Sequence, residues 1–338
     1  MKVNEAEALN NEIAIVGELS VDLIASGLGS EPILGQEILA ESFEITLGSA
    51  SAIFACGIAN LGRGVTFISR VGADHFGAFC AAALARKGIS TNHIEISKSA
   101  KTGVTIVLST RQDRALVTYP GAIAELGFAD VPLEALENHR HLHLTSYFLQ
   151  SNLRPDFARL VTEAKGRGLT VSFDPNSDPT QSWDAQIFDV IKQTDILFLN
   201  ETEAKQLTSQ IDLGAAIRRL GSYCPCVVIK LGSKGAAALY RGEFASVDGF
   251  AVNGVDTTGA GDSFAAGFVH VFLDGKDLRD CLTFGNACGA LSTTQAGGTN
   301  GQPNLRQVQD FLAKSEPPAV AGGFAKENQP RIFADNAD

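Results

Sequence analysis

A chain of 338 residues with 45% hydrophobic side chains can bury the core of one large α/β domain or of two small ones. The formal net charge of −11 argues against nucleic-acid partners and anionic membranes, because both attract a basic surface. The first residues are polar and acidic, and no apolar stretch is long enough to span a bilayer. We therefore expect a cytoplasmic protein with no nucleic-acid or membrane partner.

The first part of the chain alternates predicted strands with predicted helices. Apolar runs predict strands at residues 13–17 and 65–72. Helical periodicity predicts helices at 50–61 and 76–87, and each of them is followed by a glycine that can end it. This part of the chain has the order of an α/β sheet.

Two later segments do not fit that order. Extended residues on both sides of the charged turn 111–114 predict a hairpin at about 101–120. The stretch at about 33–47 alternates loosely in the manner of a strand. A hairpin with no helix between its strands does not belong to a parallel core. We therefore assign strands from both stretches to one small lid sheet.

The second half repeats short apolar strands and amphipathic helices. Strands are predicted at 141–146, 169–174, 196–200 and 227–231, with the clearest helices at 153–167 and 213–220. This order predicts a mainly parallel sheet covered by helices on both faces, with ligands outside the carboxyl ends of the strands. Asp174, Asn200 and Gly232 each lie at the end of such a strand or directly after it. We place one domain at 12–314 and a disordered tail, rich in Pro, Gly and polar residues, at 315–338.

The most informative segment is the glycine-rich run Asp256-Thr257-Thr258-Gly259-Ala260-Gly261-Asp262. Glycines let the main chain approach a ligand, and N–H groups at a helix start favour phosphate oxygens. The helix dipole keeps Asp262 ionised beside whatever those groups bind. This arrangement suits transfer of a phosphoryl group to a hydroxyl. The alternative is an ordinary strand-to-helix turn in which Asp262 only caps the helix.

The run resembles the D-T-x-G-A-G-D signature of the ribokinase-like (PfkB) carbohydrate kinases, and the resemblance extends over residues 13–312. It implies a ribokinase-like three-layer sandwich, a mainly parallel sheet flanked by helices, with a small β-sheet lid. It also implies ATP-dependent phosphorylation of a sugar hydroxyl, usually a primary CH2OH, with ATP and Mg²⁺ as cofactors. In that mechanism Asp262 is the base, and the N–H groups of Gly259, Ala260 and Gly261 form the anion hole.

The segment Asn200-Glu201-Thr202-Glu203 resembles the family's N-x-x-E motif. The resemblance implies that Asn200 and Glu203 organise Mg²⁺ and the nucleotide phosphates, with Glu203 acting through water. Magnesium prefers oxygen ligands and retains its waters, so such side chains suit it. The same four residues also fit a helix cap with an acidic first turn.

Two further segments resemble the walls of the family's nucleotide pocket. Gly232 and Gly235 belong to the strand-end turn where the backbone approaches the adenosine, and Asn286 falls on the adenine side. Near them, either Lys230 or Lys234 reaches a phosphate, or both are solvated surface lysines. The residues alone leave this choice open.

Asp256 and Thr258 resemble one half of a monovalent-cation site, often a K⁺ site, in related kinases. The other half is a loop at 296–299, and both halves donate backbone carbonyls to the ion. Carbonyl oxygens suit such a weakly hydrated cation. We therefore include K⁺ as a further expected cofactor.

On the substrate side, Asp22 resembles the aspartate that accepts hydrogen bonds from sugar hydroxyls, and Gly48 belongs to the neighbouring substrate segment. The alternative for Asp22 is a surface turn. The family usually carries G-G-x-x-x-N here, whereas this chain has Leu47 in place of the first glycine and apolar Ile53 near the asparagine position. An apolar side chain cannot donate to a ring hydroxyl, so the usual ribose or fructose contacts are not expected.

The lid has consequences for substrate and for assembly. Arg111 and Arg114 either grip an anionic substrate or form a solvated hairpin tip, and we favour the tip. In the family an exposed lid sheet commonly pairs with its copy, so the expected partners are a small-molecule sugar and a second subunit in a homodimer. The alternatives to a sugar kinase are a nucleoside kinase of the same superfamily and a non-catalytic sugar or nucleotide sensor.

Overall fold

The computed structural model describes residues 11–110 and 112–315. Within these ranges the strands are β1 (Asn11–Val16), β2 (Ser20–Leu28), β3 (Ser42–Leu47), β4 (Gly64–Gly72), β5 (Ser90–Ser97), β6 (Gly103–Thr110), β7 (Arg114–Tyr119), β8 (His141–Thr145), β9 (Thr170–Asp174), β10 (Ile196–Asn200), β11 (Cys226–Lys230), β12 (Ala236–Tyr240) and β13 (Glu243–Val247). The α-helices are α1 (Ala50–Asn60), α2 (His75–Arg86), α3 (Phe157–Gly166), α4 (Ile187–Ile191), α5 (Glu201–Thr208), α6 (Leu213–Gly221), α7 (Ala260–Phe272), α8 (Leu278–Ser292) and α9 (Leu305–Lys314). Short 3₁₀ helices lie at Gly121–Glu125, Phe128–Asp130, Leu133–Leu136, Arg154–Asp156 and Gly232–Lys234.

The main sheet has the strand order β13-β12-β11-β10-β9-β8-β1-β4-β5. Its strands from β5 to β11 in this order pair in parallel, and β12 and β13 add an antiparallel edge. From β1 the chain builds outward to β4 and β5 on one side and later from β8 to β11 on the other. The order therefore reverses between β1 and β8, and ligands of open α/β sheets bind in the crevice beyond such a point.

The main sheet is covered on both faces because its buried strands alternate their side chains. In β1, Ile13 and Ile15 pack into the cluster that includes α1, α2, α7 and α8. Ala14 and Val16 point the other way, into the cluster formed with α3, α4, α5 and α6. The predicted three-layer sandwich is thus confirmed.

The second sheet has the order β3-β2-β6-β7 and confirms the predicted lid. The hairpin β6–β7 forms where expected, but within the stretch 33–47 only Ser42–Leu47 is a strand. Sequence reasoning missed β2, which places Asp22 in the lid rather than beside the first core strand. The reason is that β2 pairs with β6, a partner far along the chain that no local pattern shows.

Some expectations concern residues outside these ranges. Arg111 and residues 316–338 of the predicted tail are not among the described residues. The domain limits 12–314 stay a prediction. Among the described residues, no helix is both long and apolar enough to cross a membrane.

Candidate active site

The glycine-rich run forms a sharp turn at the N-terminus of α7. Gly259 has φ 70° and stands directly before the helix, in the left-handed region that glycine adopts most easily. A Cβ at this position would also lie only 2.7 Å from Ile53 Cγ2. The N–H of Ala260 donates to Thr257 O at 3.2 Å. Within the described chain, the N–H groups of Gly259 and Gly261 have no backbone acceptor and stay available, so two of the three expected anion-hole donors are free.

Asp262 lies in the first turn of α7 and is partly exposed. Its carboxylate accepts no hydrogen bond from any residue that the structure describes. From the sequence we expected the helix dipole to keep Asp262 ionised, but burial raises the pKa of this carboxyl to about 8. Lys230 opposes the rise, and the charges of Asp174, Glu18 and Glu203 reinforce it. An unpaired carboxylate with a raised pKa is a better proton acceptor than an ordinary surface aspartate.

Lys230 lies at the end of β11, beside the α7 turn. Its Nζ donates to Asp174 Oδ2 at 2.5 Å, and the Asp174 side chain is only 1% exposed. Burial disfavours the ammonium, but Asp174, Glu203 and Asp262 together raise the pKa of Lys230 above its ordinary value. A Cβ on Gly261 would lie 3.3 Å from Lys230 Nζ. The charged amine is therefore fixed next to the turn.

The structure separates the two lysines that sequence reasoning left open. Lys230 is mostly buried, with 15% of its side chain exposed, and is ion-paired, whereas Lys234 is exposed on the following 3₁₀ turn. Sequence analysis placed Asp174 at a strand end but gave it no role. Its position at the end of β9 is a signal that could have found it, because β9 and β11 end at the same edge of the sheet.

A cavity of about 590 Å³ opens beside this turn, within the size range of small-molecule sites. Its walls include Lys230, Gly232, Gly235, Gly261 and Asn286, and thus bring together residues predicted for the nucleotide pocket. The Asn286 amide Nδ2 donates to the carbonyls of residues 247 and 248 at 3.1 and 3.2 Å, so it also fixes the loop after β13. Asn200 and Glu203 do not line this cavity.

Asn200 and Glu203 form a reciprocal cap at the start of α5. Asn200 Oδ1 accepts from the N–H of Glu203, and Glu203 Oε2 accepts from the N–H of Asn200, each at 2.8 Å. Ser177 donates to Glu203 Oε1 at 2.9 Å. Burial raises the pKa of Glu203, Lys230 lowers it, and Asp174 raises it. The helix cap that the sequence offered as an alternative is thus present. The Glu203 carboxylate is also close enough to Lys230 for the two charges to interact.

A second buried carboxylate, Glu18, was not assigned by sequence reasoning. It follows β1 and accepts hydrogen bonds from the hydroxyls of Ser51, Thr145 and Ser146 at 2.6 to 2.8 Å. Asn176 donates in turn to Ser146 at 2.7 Å. Ser146 and Asn176 have φ 51° and 55°, and such backbone strain is frequent at functional sites. The cluster occupies the crevice between β1 and β8, and its partners are too distant in sequence for a local motif.

Asp22 and Gly48 meet at the base of the lid. A Cβ on Gly48 would lie 2.1 Å from Asp22 Oδ1, so glycine is needed for this contact. The Asp22 carboxylate is 8% exposed and has no hydrogen-bond partner among the described residues. Burial raises the pKa of Asp22 to about 6, Arg114 lowers it, and Asp256 raises it. A buried, unpaired acceptor of this kind suits a ligand hydroxyl rather than a surface turn.

The segment after Gly48 differs from its expected form. Leu47 is an ordinary buried strand residue, and the unusual backbone falls instead on Ser49, with φ 71°. Ile53 is 4% exposed and packs under the α7 turn: Cβ atoms on Gly259 and Gly298 would lie 2.7 and 2.6 Å from its side chain. The apolar residue therefore supports two glycine backbones.

Asp256 joins the two loops that were predicted to share a cation. Its Oδ1 accepts from the N–H of Thr258 and its Oδ2 from the N–H of Gly297, each at 2.9 Å. Burial works against ionisation, but these two N–H groups lower the pKa of Asp256. Arg114 Nη1 donates to Thr258 Oγ1 at 2.7 Å. Arg114 is exposed, as expected of a hairpin tip, and it also links the lid to the segment before α7.

The free N–H groups of the turn, an unpaired carboxylate and a fixed ammonium lie together beside a cavity in the size range of small-molecule sites, an arrangement that suits phosphoryl transfer to a small molecule. The model of one protein family, described as "pfkB family carbohydrate kinase", matches residues 10–305 of this chain. The chain is 27% identical to the ribokinase of Haemophilus influenzae, covering 90% of this chain and 99% of that protein. It is 30% identical to the 2-dehydro-3-deoxygluconokinase of Bacillus subtilis, covering 80% and 88%.

Solved structures agree with the sequence comparisons. A putative ribokinase II from E. coli, in complex with ATP and Mg²⁺, superposes with a TM-score of 0.81 at 27% identity, covering 90% of this chain and all of that one. The chain belongs to the pfkB family of carbohydrate kinases. The predicted family, ribokinase-like fold and kinase activity are thereby confirmed.

Proposed function

We propose that this carbohydrate kinase transfers the γ-phosphoryl group of ATP to a sugar hydroxyl, usually a primary CH2OH, with Asp262 as the base. The observation that carries this proposal is the Asp262 carboxylate, which stands unpaired at the N-terminus of α7, beside free N–H groups and the cavity. A sugar or sugar derivative is the small-molecule partner.

The proposed reaction is a single displacement. The acceptor oxygen forms a bond to the γ-phosphorus while the bond to the bridging oxygen of ADP breaks, and the hydroxyl proton passes to Asp262. The N–H groups of Gly259 and Gly261 stabilise the negative charge on the transferred group. The Ala260 N–H contributes only if its bond to Thr257 opens, because that bond occupies it.

The cavity supports ATP as the phosphoryl donor. The cavity combines apolar lining with a few polar groups, which is the usual composition of a nucleotide site. Its walls include the turn with Gly232 and Gly235, the Lys230 amine and Asn286. The related E. coli protein has been solved with ATP and Mg²⁺.

Among residues 11–110 and 112–315, no three His, Cys, Asp or Glu side chains form a group that could hold a metal. Each Glu203 oxygen already accepts one protein hydrogen bond and keeps a second lone pair. Glu203 therefore fits Mg²⁺ held through water, with Asn200 beside the phosphates; the ion would neutralise polyphosphate charge.

The Asp256 bridge supports a monovalent cation between residues 256–258 and the loop at 296–299. We propose K⁺ as its occupant, with Asp256 and Thr258 on one side. The test compares turnover in K⁺, Na⁺ and tetramethylammonium chloride at equal ionic strength. Equal rates in all three salts would contradict a cation site.

The test of the function is a coupled ADP-release assay with Mg²⁺ and ATP. The acceptors are D-ribose, D-fructose, 2-dehydro-3-deoxygluconate, their monophosphates, adenosine and inosine. We expect turnover with at least one sugar and none with the nucleosides. Turnover with a nucleoside alone would favour the nucleoside-kinase alternative. ATP binding without turnover across the panel would favour the sensor.

We also propose a homodimer through the lid. One face of the lid sheet carries five large apolar side chains, each between 41% and 61% exposed: Phe43, Ile45, Ile106, Val117 and Tyr119. Such a patch marks an interaction surface, and a closed twofold contact covers it. Light scattering should give twice the chain mass, and Val117→Asp should halve it. Ile211→Asp, at a site 94% exposed outside the lid, is the control. A monomeric parent protein would remove this proposal.

The cytoplasm is the proposed location. All six cysteines are free and buried, which supports a reducing compartment.

A further inference from the structure

Lys230 lies at the centre of a buried group of carboxylates. Its ammonium is bound to Asp174, and the charges of Glu203 and Asp262 also act on it. It is in turn the cation that acts most strongly on Asp262. The amine stands where the free N–H of Gly261 and the cavity wall meet.

Stability alone does not account for this pair. A buried ion pair usually adds little net stability, because removing both charges from water costs about as much as their attraction returns. Lys230 is 15% exposed at its side chain, on the cavity side, whereas Asp174 is 1% exposed. The arrangement therefore holds one positive charge at the cavity surface with a buried anion behind it.

We propose, on the basis of the kinase function proposed above, that the Lys230 ammonium stabilises the phosphoryl group during its transfer. Asp174 is the positioning residue that holds Lys230 beside the Gly261 turn. Lys230 thus acts on the transition state and not only on the bound nucleotide. It stays protonated throughout, while the proton of the acceptor passes to Asp262.

The chemistry of phosphoryl transfer favours a fixed charge at this place. Negative charge spreads over the three equatorial oxygens of the transferred group, and donors already in position need no reorganisation. A lysine binds phosphate as a point charge on a flexible stem. Its location therefore depends on what anchors the amine, and here that anchor is Asp174.

The experiment compares Lys230→Met, Asp174→Asn and the double variant with the wild type, using the acceptor that the wild type phosphorylates best. Removing one stabilising donor typically costs about 10²- to 10³-fold in kcat, and we expect this loss for Lys230→Met with KM for ATP nearly unchanged. Asp174→Asn should lose about tenfold. If Asp174 acts through Lys230, the double variant should be no worse than Lys230→Met. Lys234→Met, on the exposed turn outside the cavity, should behave as wild type.

A binding measurement separates transition-state from ground-state effects without a known acceptor. Calorimetry gives the affinities for Mg·ATP and for Mg·ADP with aluminium fluoride, which imitates the phosphoryl group in transfer. Lys230→Met should weaken the fluoride complex at least tenfold more than ATP. Equal weakening of both, or kcat losses of the two single variants that multiply in the double variant, would overturn the proposal.

The design also separates folding and function. The double variant removes both charges of the Lys230–Asp174 pair, so it should fold even where a single variant does not, and its melting temperature checks this. If it binds the fluoride complex as tightly as wild type, Lys230 has no transition-state role. If the wild type phosphorylates no acceptor, the proposed function fails, while the binding comparison still tests Lys230.

Discussion

The two halves of the cleft satisfy their charged groups in opposite ways. In the turn half, formed by the α7 turn with Lys230 and Asp174, buried charges are paired and only Asp262 stands free. In the lid half, formed by Asp22, Gly48 and Arg114, the buried Asp22 carboxylate has no hydrogen-bond partner within the described chain. The groups of the turn half are already fixed, so they are in position for the phosphoryl group, which is the same for every acceptor. The Asp22 carboxylate in the lid half lacks a hydrogen-bond partner that a ligand can supply. We therefore expect the turn half to govern the rate and the lid half to govern substrate binding.

The strongest test of this division is Asp262→Asn. The amide cannot accept the acceptor proton, and loss of a general base typically lowers kcat by about 10²- to 10⁴-fold. The affinity for Mg·ATP should change little, because the N–H turn and the cavity remain. Single-turnover rates and calorimetry measure the two effects. Asp280→Asn, an exposed acid in the first turn of α8, is the matched control. Near-native turnover of Asp262→Asn would show that the base lies elsewhere.

Asp22→Asn tests the lid half. A hydrogen bond to a charged group contributes about 1.5 to 3 kcal/mol, so KM for the sugar should rise about 10- to 150-fold. KM for ATP should stay the same, because Asp22 does not line the nucleotide cavity. Steady-state kinetics with both substrates varied measure the split. Asp189→Asn, on the surface of α4, serves as control. A fall in kcat with an unchanged sugar KM would break the comparison between the halves.

The two halves also differ in how much the sequence could predict. Most of the turn half lies in short segments at strand and helix ends. The glycine-rich run and its family resemblance therefore pointed to Asp262 and the glycines, while the residues alone left Lys230 and Lys234 undecided. The lid half joins β2 to β3 and β6, and the pairing of β2 with β6 is invisible to local patterns. Glu18 was missed for the same reason, since two of its hydroxyl partners, Thr145 and Ser146, lie at the end of β8, far along the chain. Long-range pairing, not composition, limited the prediction.

The pH dependence sharpens the assignment of the base. Because burial raises the pKa of Asp262 to about 8, most of this carboxyl is protonated at neutral pH in the free enzyme. A base must be deprotonated, so kcat/KM for the sugar should rise about tenfold per pH unit below pH 8 and level off above it. Glu18→Gln removes a charge that raises this pKa, so the rising part of the kcat/KM profile should move to lower pH. Asp74→Asn, at the N-cap of α2, should leave it unmoved. A rate independent of pH between 6 and 9 would contradict the assignment.

A further expected effect concerns the stability of the core under the turn half. His141 and His143 are buried in β8 and share hydrogen bonds with Ser172. Burial lowers the pKa of His141 to about 3, and burial, with His141 and Lys230 nearby, also lowers the pKa of His143. The unfolded chain takes up these protons near the ordinary histidine pKa of 6.5, while the folded chain does not.

The contribution of these histidines is therefore complete above pH 6.5 and is lost as the pH falls below it. Each histidine should reduce the free energy of unfolding by about 1.4 kcal/mol per pH unit between pH 6 and 4. Urea unfolding across this range measures the slope. His143→Gln should reduce the slope by one histidine's share, whereas His75→Gln, at an exposed site, should not. Amide hydrogen exchange should show that the core around His141 and His143, under the turn half, loses its protection first. Earlier loss of protection in the lid, which has no buried histidine among the described residues, would mean that acid acts on the lid half instead.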